Sequence, residues 1–220
     1  ITKLIQDAID NPAYPVHFGA HQKGMQANVE VADTKEAMRL WMLARDDAVR
    51  NARIMNDMGL HKQVVNRILE PFTHINVIVT STQWDNFFEL RAHKDAQPEI
   101  QSLAVEMKRV MDNSVPEPLS WGEWHLPYVT QEEMCSFREH ILKRISTARW
   151  ARVSYNKHDG EKPSVEEDLE LYDKLVGSEP LHASPAEHQA MACRDEEGYD
   201  YAGNLLTWVQ HRKLLEEGFV

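Results

Sequence analysis

The stretch Thr34–Asp57, TKEAMRLWMLARDDAVRNARIMND, predicts the longest helix of the chain and dominates the choice of fold class. Its apolar residues recur every three or four positions, as on one face of an α-helix, and Gly59 follows where a helix C-terminus favours glycine. The residues that carry this pattern are Ala37, Leu40, Trp41, Leu43, Ala44, Ala48, Ala52 and Ile54.

Shorter helical segments surround this stretch, and one segment has the pattern of a strand. Residues 72–80, FTHINVIVT, alternate and are rich in β-branched side chains, which predicts a strand. We expect Ser81 or Thr82 to cap a helix over Gln83–Arg91, and we expect Asn204–Glu217 to be helical. The mixture predicts an α+β fold. The other expected helices are 1–10, 61–69, Pro98 to about Met111, about 131–148 after a capping box at Thr130, and 165–176 after a capping box at Ser164.

Composition excludes two classes of protein. The 220 residues contain 24 Lys+Arg and 35 Asp+Glu, a formal net charge of −11, which argues against binding of duplex nucleic acid. No apolar run approaches the roughly 18 residues that a transmembrane helix needs, so we expect no membrane span. A few converging arginines would still suffice to bind a small anion.

The sequence favours neither a metal site nor nucleophilic catalysis. Cys135 and Cys193 lie in unrelated segments without a CxxC pair, which fits a reducing cytoplasm. We expect Cys135 to lie in the core face of an amphipathic helix. The single ExxH sequence, Glu179–His182, contains a proline, and neither HExxH, GxSxG nor a glycine-rich phosphate loop occurs. We therefore predict no metal.

Two other stretches carry residue types suited to binding an anion. Arg67 and Arg91 each end a predicted helix, where the helix dipole alone would favour a cation. Ser184 and Glu187 have the spacing of a capping box with Pro185 at the first helical position. A helix N-terminus is also an anion site, and the spacing does not separate the two interpretations.

Together these stretches resemble the flavin-dependent thymidylate synthases. Members of that family carry an Asn-Phe-x-x-Leu-Arg … Ala-Gln-x-Glu-Ile block, an Ala-Arg-Val-Ser block and a His-x-Ser/Thr-Pro-x-Glu-His block. An arginine followed by a Leu-Pro-like pair is matched more loosely by Arg67-Ile68-Leu69-Glu70-Pro71. The three blocks are matched by 86–91 with 96–100, by 151–154, and by 182–188.

The order of these blocks and one missing motif distinguish the chain from typical members. The Asn-Phe-x-x-Leu-Arg block comes first here and last in typical members, which resembles a circular permutation as in phage-type members. The Arg-His-Arg signature with its serine-containing run is absent, and Gln210-His211-Arg212 is a poor echo of it. We expect the missing segment to precede Ile1, to belong to a second chain, or to be lost.

The resemblance implies roles for six residues. Arg67 and Arg91 would hold the phosphate or uracil of dUMP, and Asn86 would contact FAD. His182, Ser184 and Glu187 would lie near the flavin. Thr82 stands where the family has a flavin-contacting arginine, and Asp95 stands where it has a flavin-contacting histidine. No catalytic residue is assigned, because the signature segment is absent.

The activity implied is reductive methylation of dUMP to dTMP, with methylenetetrahydrofolate as carbon donor, FAD as cofactor and NADPH as reductant. The resemblance further implies helices packed on a small mixed or antiparallel sheet, and a homotetramer with shared active sites in the cytoplasm, or the host cytoplasm if phage-encoded. We expect one domain, 1–220, with a connector near 115–128. Two alternatives stay open: a pyrimidine nucleotide hydroxymethylase, and a non-catalytic homologue or partner subunit.

Overall fold

The computed structural model describes residues 1–23, 29–153, 163–194 and 202–219. Its contacts group into two compact units. The first unit comprises Ile1–Ile75 and Trp84–Val115, and the second comprises Asn76–Gln83 and Pro116–Val220. None of the helices in the described ranges combines the length and apolarity needed to cross a bilayer. The single domain expected from the sequence stays a prediction.

The elements confirm an α+β fold, since many helices accompany a small antiparallel sheet. The helices of the first unit are α1 (Thr2–Asp10), α2 (Thr34–Asp57), α3 (Lys62–Arg67), a 3-10 helix (Glu70–Phe72), α4 (Asp85–Arg91) and α5 (Pro98–Asp112). The elements of the second unit are β1 (Trp124–His125), α6 (Gln131–Ser136), α7 (Glu139–Ala151), α8 (Val165–Val176), a 3-10 helix (Ser184–Glu187), β2 (Ala190–Ala192), β3 (Trp208–Gln210) and α9 (His211–Glu216).

The first unit is built on α2, whose bounds agree with the sequence prediction. Asp33 caps the helix by accepting a hydrogen bond from the Glu36 amide, and Gly59 has φ of +78°, which glycine adopts without strain. The apolar faces of α1, α2 and α3 meet in one core. The buried members of this core are Ile5, Ala8, Val49, Ala52, Val65, Leu69 and Phe72.

The predicted strand at 72–80 is wrong. Phe72 ends a 3-10 helix, and residues 73–84 contain neither helix nor strand. A strand requires a hydrogen-bonded neighbour, and no strand of the described ranges pairs with this segment. Three of its β-branched side chains instead face solvent, with Ile75 83%, Val77 67% and Val79 57% exposed. The sequence does alternate as a strand would, but no partner strand lies beside it within the described ranges, so no strand forms.

The expected cap of α4 is also wrong. The helix begins at Asp85 with Trp84 at its N-cap position and without a side-chain capping bond. Ser81 Oγ accepts a 3.2 Å hydrogen bond from the Gln83 amide instead, which closes a local turn before the helix.

The sheet of the second unit has the order β1-β2-β3, and both pairs are antiparallel. His125 pairs with Ala190, and Ala190 pairs in turn with Gln210. The expectation of a helix through 204–217 is therefore only half correct, because β3 takes 208–210 and α9 begins at His211. Three-residue strands are too short to display the alternation by which strands are recognised.

The capping boxes at Thr130 and Ser164 are confirmed. The helix expected from 131 to 148, however, is two helices separated by extended residues Phe137 and Arg138. Ser136 Oγ donates a 2.7 Å hydrogen bond to the Glu132 carbonyl in the last turn of α6, as serine does where it competes with the helix. Cys135 is exposed, so its predicted place in the core is wrong. The short α6 buries none of its side chains.

A buried carboxylate joins α7 to α8. Asp168 of α8 is fully buried and pairs with Arg149 of α7 and with Arg152, the residue that follows α7 at its C-cap. Arg152 also donates a 2.8 Å hydrogen bond to the Glu167 carbonyl. The arginine of the Ala-Arg-Val-Ser block is thereby engaged in holding the two helices together, whereas Ser154 of that block lies outside the described residues.

Candidate functional site

The second unit contains a cavity of about 450 Å³ beside its sheet. This volume lies within the range of small-molecule sites in proteins. Apolar and hydroxyl side chains share the lining, which suits a mostly apolar ligand with a few polar edge groups. The lining residues are Thr80, Ser81, Thr82, His125, Ala190, Leu205, Leu206, Thr207 and Trp208.

The sheet brings two of these residues side by side. His125 and Ala190 are register partners on β1 and β2, and both line the cavity. Directly opposed residues of an antiparallel pair point to the same face of the sheet, so the two side chains share one wall. Burial lowers the pKa of His125, which leaves a neutral imidazole at neutral pH.

Another wall of the cavity is formed by the segment Thr80–Thr82, which has no regular secondary structure. Thr80 Oγ1 lies 2.9 Å from His188 Nδ1. The Leu206 amide donates a 3.1 Å hydrogen bond to Thr82 Oγ1. Two threonine hydroxyls therefore attach this segment to the β2 and β3 side of the unit.

His188 stacks on Trp150, with ring centroids 4.1 Å apart and an interplanar angle of 18°. The side chain is buried, and burial lowers its pKa to about 4. Glu187 opposes that shift and His125 adds to it. His188 is thus neutral at neutral pH, and it contacts the indole of Trp150 and the hydroxyl of Thr80.

Three of the predicted site residues precede His188 in the chain, but none of them lines the cavity. They are His182, Ser184 and Glu187. Ser184 and Glu187 begin and end a 3-10 helix whose N-cap is Ala183, and no side-chain capping bond forms. The predicted capping box is therefore wrong, since one 3-10 turn leaves Ser184 inside the turn instead of before it. The alternative interpretation, an anion site at a helix N-terminus, is not supported either, because the element is a 3-10 helix of only four residues.

Glu187 is the best fixed of the six predicted site residues. Its carboxylate forms an ion pair with Arg212 of α9, and its carbonyl accepts a 3.0 Å hydrogen bond from Gln210 Nε2. Gln210 is buried and also donates to Asn204. His182 and Ser184 are exposed. Two of these partners, Gln210 and Arg212, belong to the Gln210-His211-Arg212 run, which matches the family's Arg-His-Arg signature only weakly.

The other three predicted residues belong to the first unit. Arg67 is the last residue of α3, is 75% exposed, and its Nη1 lies 3.3 Å from Glu70 Oε1. Asn86 lies in the first turn of α4, and Arg91 ends that helix; both are exposed. Within the described ranges, no hydrogen bond or ion pair joins these three residues to one another.

The first unit has an open cleft of about 690 Å³ where α4 is followed by α5. Lys94 and Gln101 supply polar groups, and Val16 and Val105 supply apolar surface. None of the six predicted residues lines it. The other lining residues are His17, Ala96, Pro98, Ser102 and Glu106.

The site suits part of a flavin better than a metal. Among the residues that the structure describes, no cluster of three or more His, Cys, Asp and Glu side chains is placed to hold a metal ion. The 450 Å³ cavity offers hydroxyls, a neutral imidazole and an indole, which fit an uncharged aromatic ring. Among the described residues no Lys or Arg lines it, so the lining present does not fit the pyrophosphate of a dinucleotide.

Comparison with known proteins gives one match. Residues 16–117, just under half of the chain, match the model of the family described as thymidylate synthase complementing protein. The matched range contains Arg67, Asn86 and Arg91, whereas 151–154 and 182–188 lie outside it. No curated protein and no solved structure matches the chain.

Proposed function

Since the match over residues 16–117 supports membership of the family of flavin-dependent thymidylate synthases, we propose that this chain takes part in the reductive methylation of dUMP to dTMP. The family supports a thymidylate synthase type of function in general. The finer proposal adds FAD as cofactor, with methylenetetrahydrofolate and NADPH as co-substrates. The observation that carries it is that the matched range includes the arginines suited to binding a nucleotide.

We assign dUMP binding to Arg67 and Arg91. A guanidinium donates two parallel hydrogen bonds to a phosphate, which a lysine does not reproduce. Both side chains are exposed, and no carboxylate of the described ranges pairs with Arg91. Arg67 has only the 3.3 Å contact to an exposed Glu70, which is a weak competitor for a dianionic phosphate.

We assign the ring of the flavin to the cavity of the second unit. Leu205, Leu206 and Trp208 supply apolar surface, and Thr80 and Thr82 supply hydroxyls along one edge. FAD, when bound, supplies the hydride that reduces the transferred methylene to a methyl group. The chain's residues would orient the ring and exclude water. Asn86, His182, Ser184 and Glu187 remain the proposed residues for other parts of the cofactor.

The lining of the cavity favours one further candidate. Because none of its described lining residues is a cation, the pyrophosphate of FAD needs residues from outside this lining, such as those of a second copy in the proposed homotetramer or of a second chain. Without them the chain would be a non-catalytic homologue or partner subunit. In a hydroxymethylase, water in place of a hydride would complete the reaction, and the product analysis below distinguishes the two.

The test is a visible absorption spectrum of the purified chain mixed with FAD, before and after addition of dUMP, followed by product analysis. Retention of flavin through gel filtration, a spectral change on adding dUMP, and dTMP formed from methylenetetrahydrofolate and NADPH support the synthase. A hydroxymethylated nucleotide supports the hydroxymethylase. Bound flavin without turnover supports the non-catalytic homologue. Failure to retain FAD overturns the flavin assignment for the chain alone.

A further inference from the structure

We propose that His188 is a positioning residue: through its hydrogen bond to Thr80 it fixes the Thr80–Thr82 wall of the 450 Å³ cavity. His188 itself does not line the cavity, whereas Thr80 does. The expected effect on flavin affinity rests on the proposed function. The expected effect on the position of the Thr80–Thr82 wall does not.

The geometry holds His188 from several directions. Trp150 of α7 stacks on one face of the imidazole, and Thr80 Oγ1 meets Nδ1 at 2.9 Å. The backbone on either side belongs to the Ser184–Glu187 turn and leads into β2. Gln189, the next residue, is fully buried and donates a 3.1 Å hydrogen bond to Ser146 Oγ. A side chain anchored in this way is a fixed point for any segment bonded to it.

Hydrogen bonds from its two threonines, and not regular secondary structure, attach this wall to its neighbours. Residues 76–83 contain no helix or strand, and Val77 and Val79 are 67% and 57% exposed. The Thr80–His188 and Thr82–Leu206 hydrogen bonds are the contacts by which threonines of this segment reach β2 and β3 neighbours. Loss of either bond would let the lining hydroxyls move relative to His125 and Trp208.

Neutrality of the ring supports this role. Burial lowers the pKa of His188 to about 4, with Glu187 and His125 as the nearby titratable groups. At neutral pH one ring nitrogen carries a proton and the other accepts. The Thr80 hydroxyl can donate or accept, so the contact persists in either tautomer.

The test compares substitutions that remove the hydrogen bond with substitutions that keep it. Thr80→Val keeps the size of the side chain and His188→Phe keeps an aromatic ring on Trp150, but each removes the bond. Thr80→Ser keeps the hydroxyl and His188→Asn places a polar group near the Nδ1 position. Tyr172→Phe is the matched control, because it removes a buried hydroxyl 3.3 Å from His211 Nε2 that does not line the cavity.

We expect Thr80→Val and His188→Phe to raise the dissociation constant of FAD about 3- to 10-fold, the worth of one hydrogen bond. Thr80→Ser and His188→Asn should restore most of the affinity. The double variant should be no weaker than either single variant, because both remove the same bond. Tyr172→Phe should lower the melting temperature and leave flavin affinity unchanged.

Amide hydrogen exchange gives a readout that needs no flavin. The proposal predicts faster exchange at 76–83 in Thr80→Val and His188→Phe, but not in Tyr172→Phe. Unchanged exchange in those two variants overturns it, as does a flavin affinity that follows melting temperature in all variants. If the wild-type chain does not bind FAD, the proposed function fails while the exchange experiment still decides the role of His188.

Discussion

The carboxylate of Asp168 has no exposed surface, and its Oδ2 accepts a 2.8 Å hydrogen bond from Nε of Arg149, nineteen residues earlier in the chain. The same guanidinium donates two hydrogen bonds to Glu133, of 2.6 and 2.8 Å. Arg149 therefore links α6, α7 and α8. Burial raises the pKa of Asp168, and the guanidiniums of Arg149 and Arg152 oppose that shift.

Removal of the Asp168 charge should destabilise the second unit. Asp168→Asn leaves two guanidiniums without their shared carboxylate, and we expect the free energy of unfolding to fall by about 2–4 kcal/mol. The loss is below that of a fully buried pair because Arg149 and Arg152 remain 17% and 20% exposed. Urea denaturation measures it. Glu170→Gln, on the exposed side of α8, is the control and should change stability by less than about 0.5 kcal/mol.

Glu133 should make the protein sensitive to acid. Hydrogen bonds from Arg149 are the largest cause that lowers its pKa to about 2. In the unfolded chain the pKa is near 4.5, so the unfolded state binds the proton first as pH falls. Stability is then lost from about pH 4.5 downward through pH 2.

Glu133→Gln should accordingly lower stability at pH 7 by about 1–3 kcal/mol and flatten the pH dependence below pH 4.5. Denaturant titrations from pH 7 to pH 3 test this. Glu132→Gln, its exposed neighbour, is expected to behave as wild type. Parallel pH profiles for wild type and Glu133→Gln would contradict the prediction.

His211 should contribute a second pH dependence at higher pH. It is 3% exposed, stacks near Tyr172, and burial lowers its pKa to about 4. Between pH 6.5 and 4 the unfolded chain binds a proton that the folded chain does not, so stability falls as pH is lowered, by about 1.4 kcal/mol per pH unit for such a histidine.

His211→Phe should remove the contribution of His211 to the dependence of stability on pH and leave the contribution of His188. Chemical denaturation at pH 7, 6 and 5 provides the comparison. His140→Gln, an exposed position on α7, serves as the control and should keep the wild-type slope. An unchanged slope in His211→Phe would show that the histidine is protonated in the folded protein.

Gly203 should not accept a side chain. Its φ is +59°, and a Cβ would overlap Gln210 Oε1. Gln210 is buried and bonded to the Glu187 carbonyl and to Asn204, so it has little freedom to withdraw. We expect Gly203→Ala to cost about 2–3 kcal/mol of stability.

Gly218→Ala is the control, because Gly218 has φ of +77° and open space at its Cβ. It should cost about 1 kcal/mol, from backbone strain alone. Thermal unfolding of the two variants separates strain from collision. Equal losses would mean that Gln210 moves aside.

Arg91→Lys should weaken binding of dUMP if Arg91 holds its phosphate. A lysine keeps the charge but not the two parallel donors, so we expect KM for dUMP to rise about 10-fold with a smaller change in kcat. Arg109→Lys, an exposed arginine of α5 paired with Glu106, is the control. An unchanged KM in Arg91→Lys would remove Arg91 from the proposed site.

The sequence determined those features that depend on neighbours in the chain. The amphipathic repeat of 34–57 fixes α2, Thr130 and Ser164 form capping boxes with residues three positions later, and Pro98 begins α5. Each is an interaction within one or two helical turns, so local spacing is sufficient to predict it. The α+β class follows from the same local signals.

Only the tertiary structure decided what depends on distant partners. The segment 72–80 has no partner strand among the described residues, although its alternation predicts one. The strands β2 and β3 form from three residues each because they pair with one another. Cys135 is exposed, and Asp168 is buried with its charge paired to Arg149 of α7 and to Arg152 at the C-cap of α7. The Thr80–His188 contact joins residues 108 positions apart. Hydrogen-bond partners, burial and cavity walls are set by packing, which local spacing does not specify.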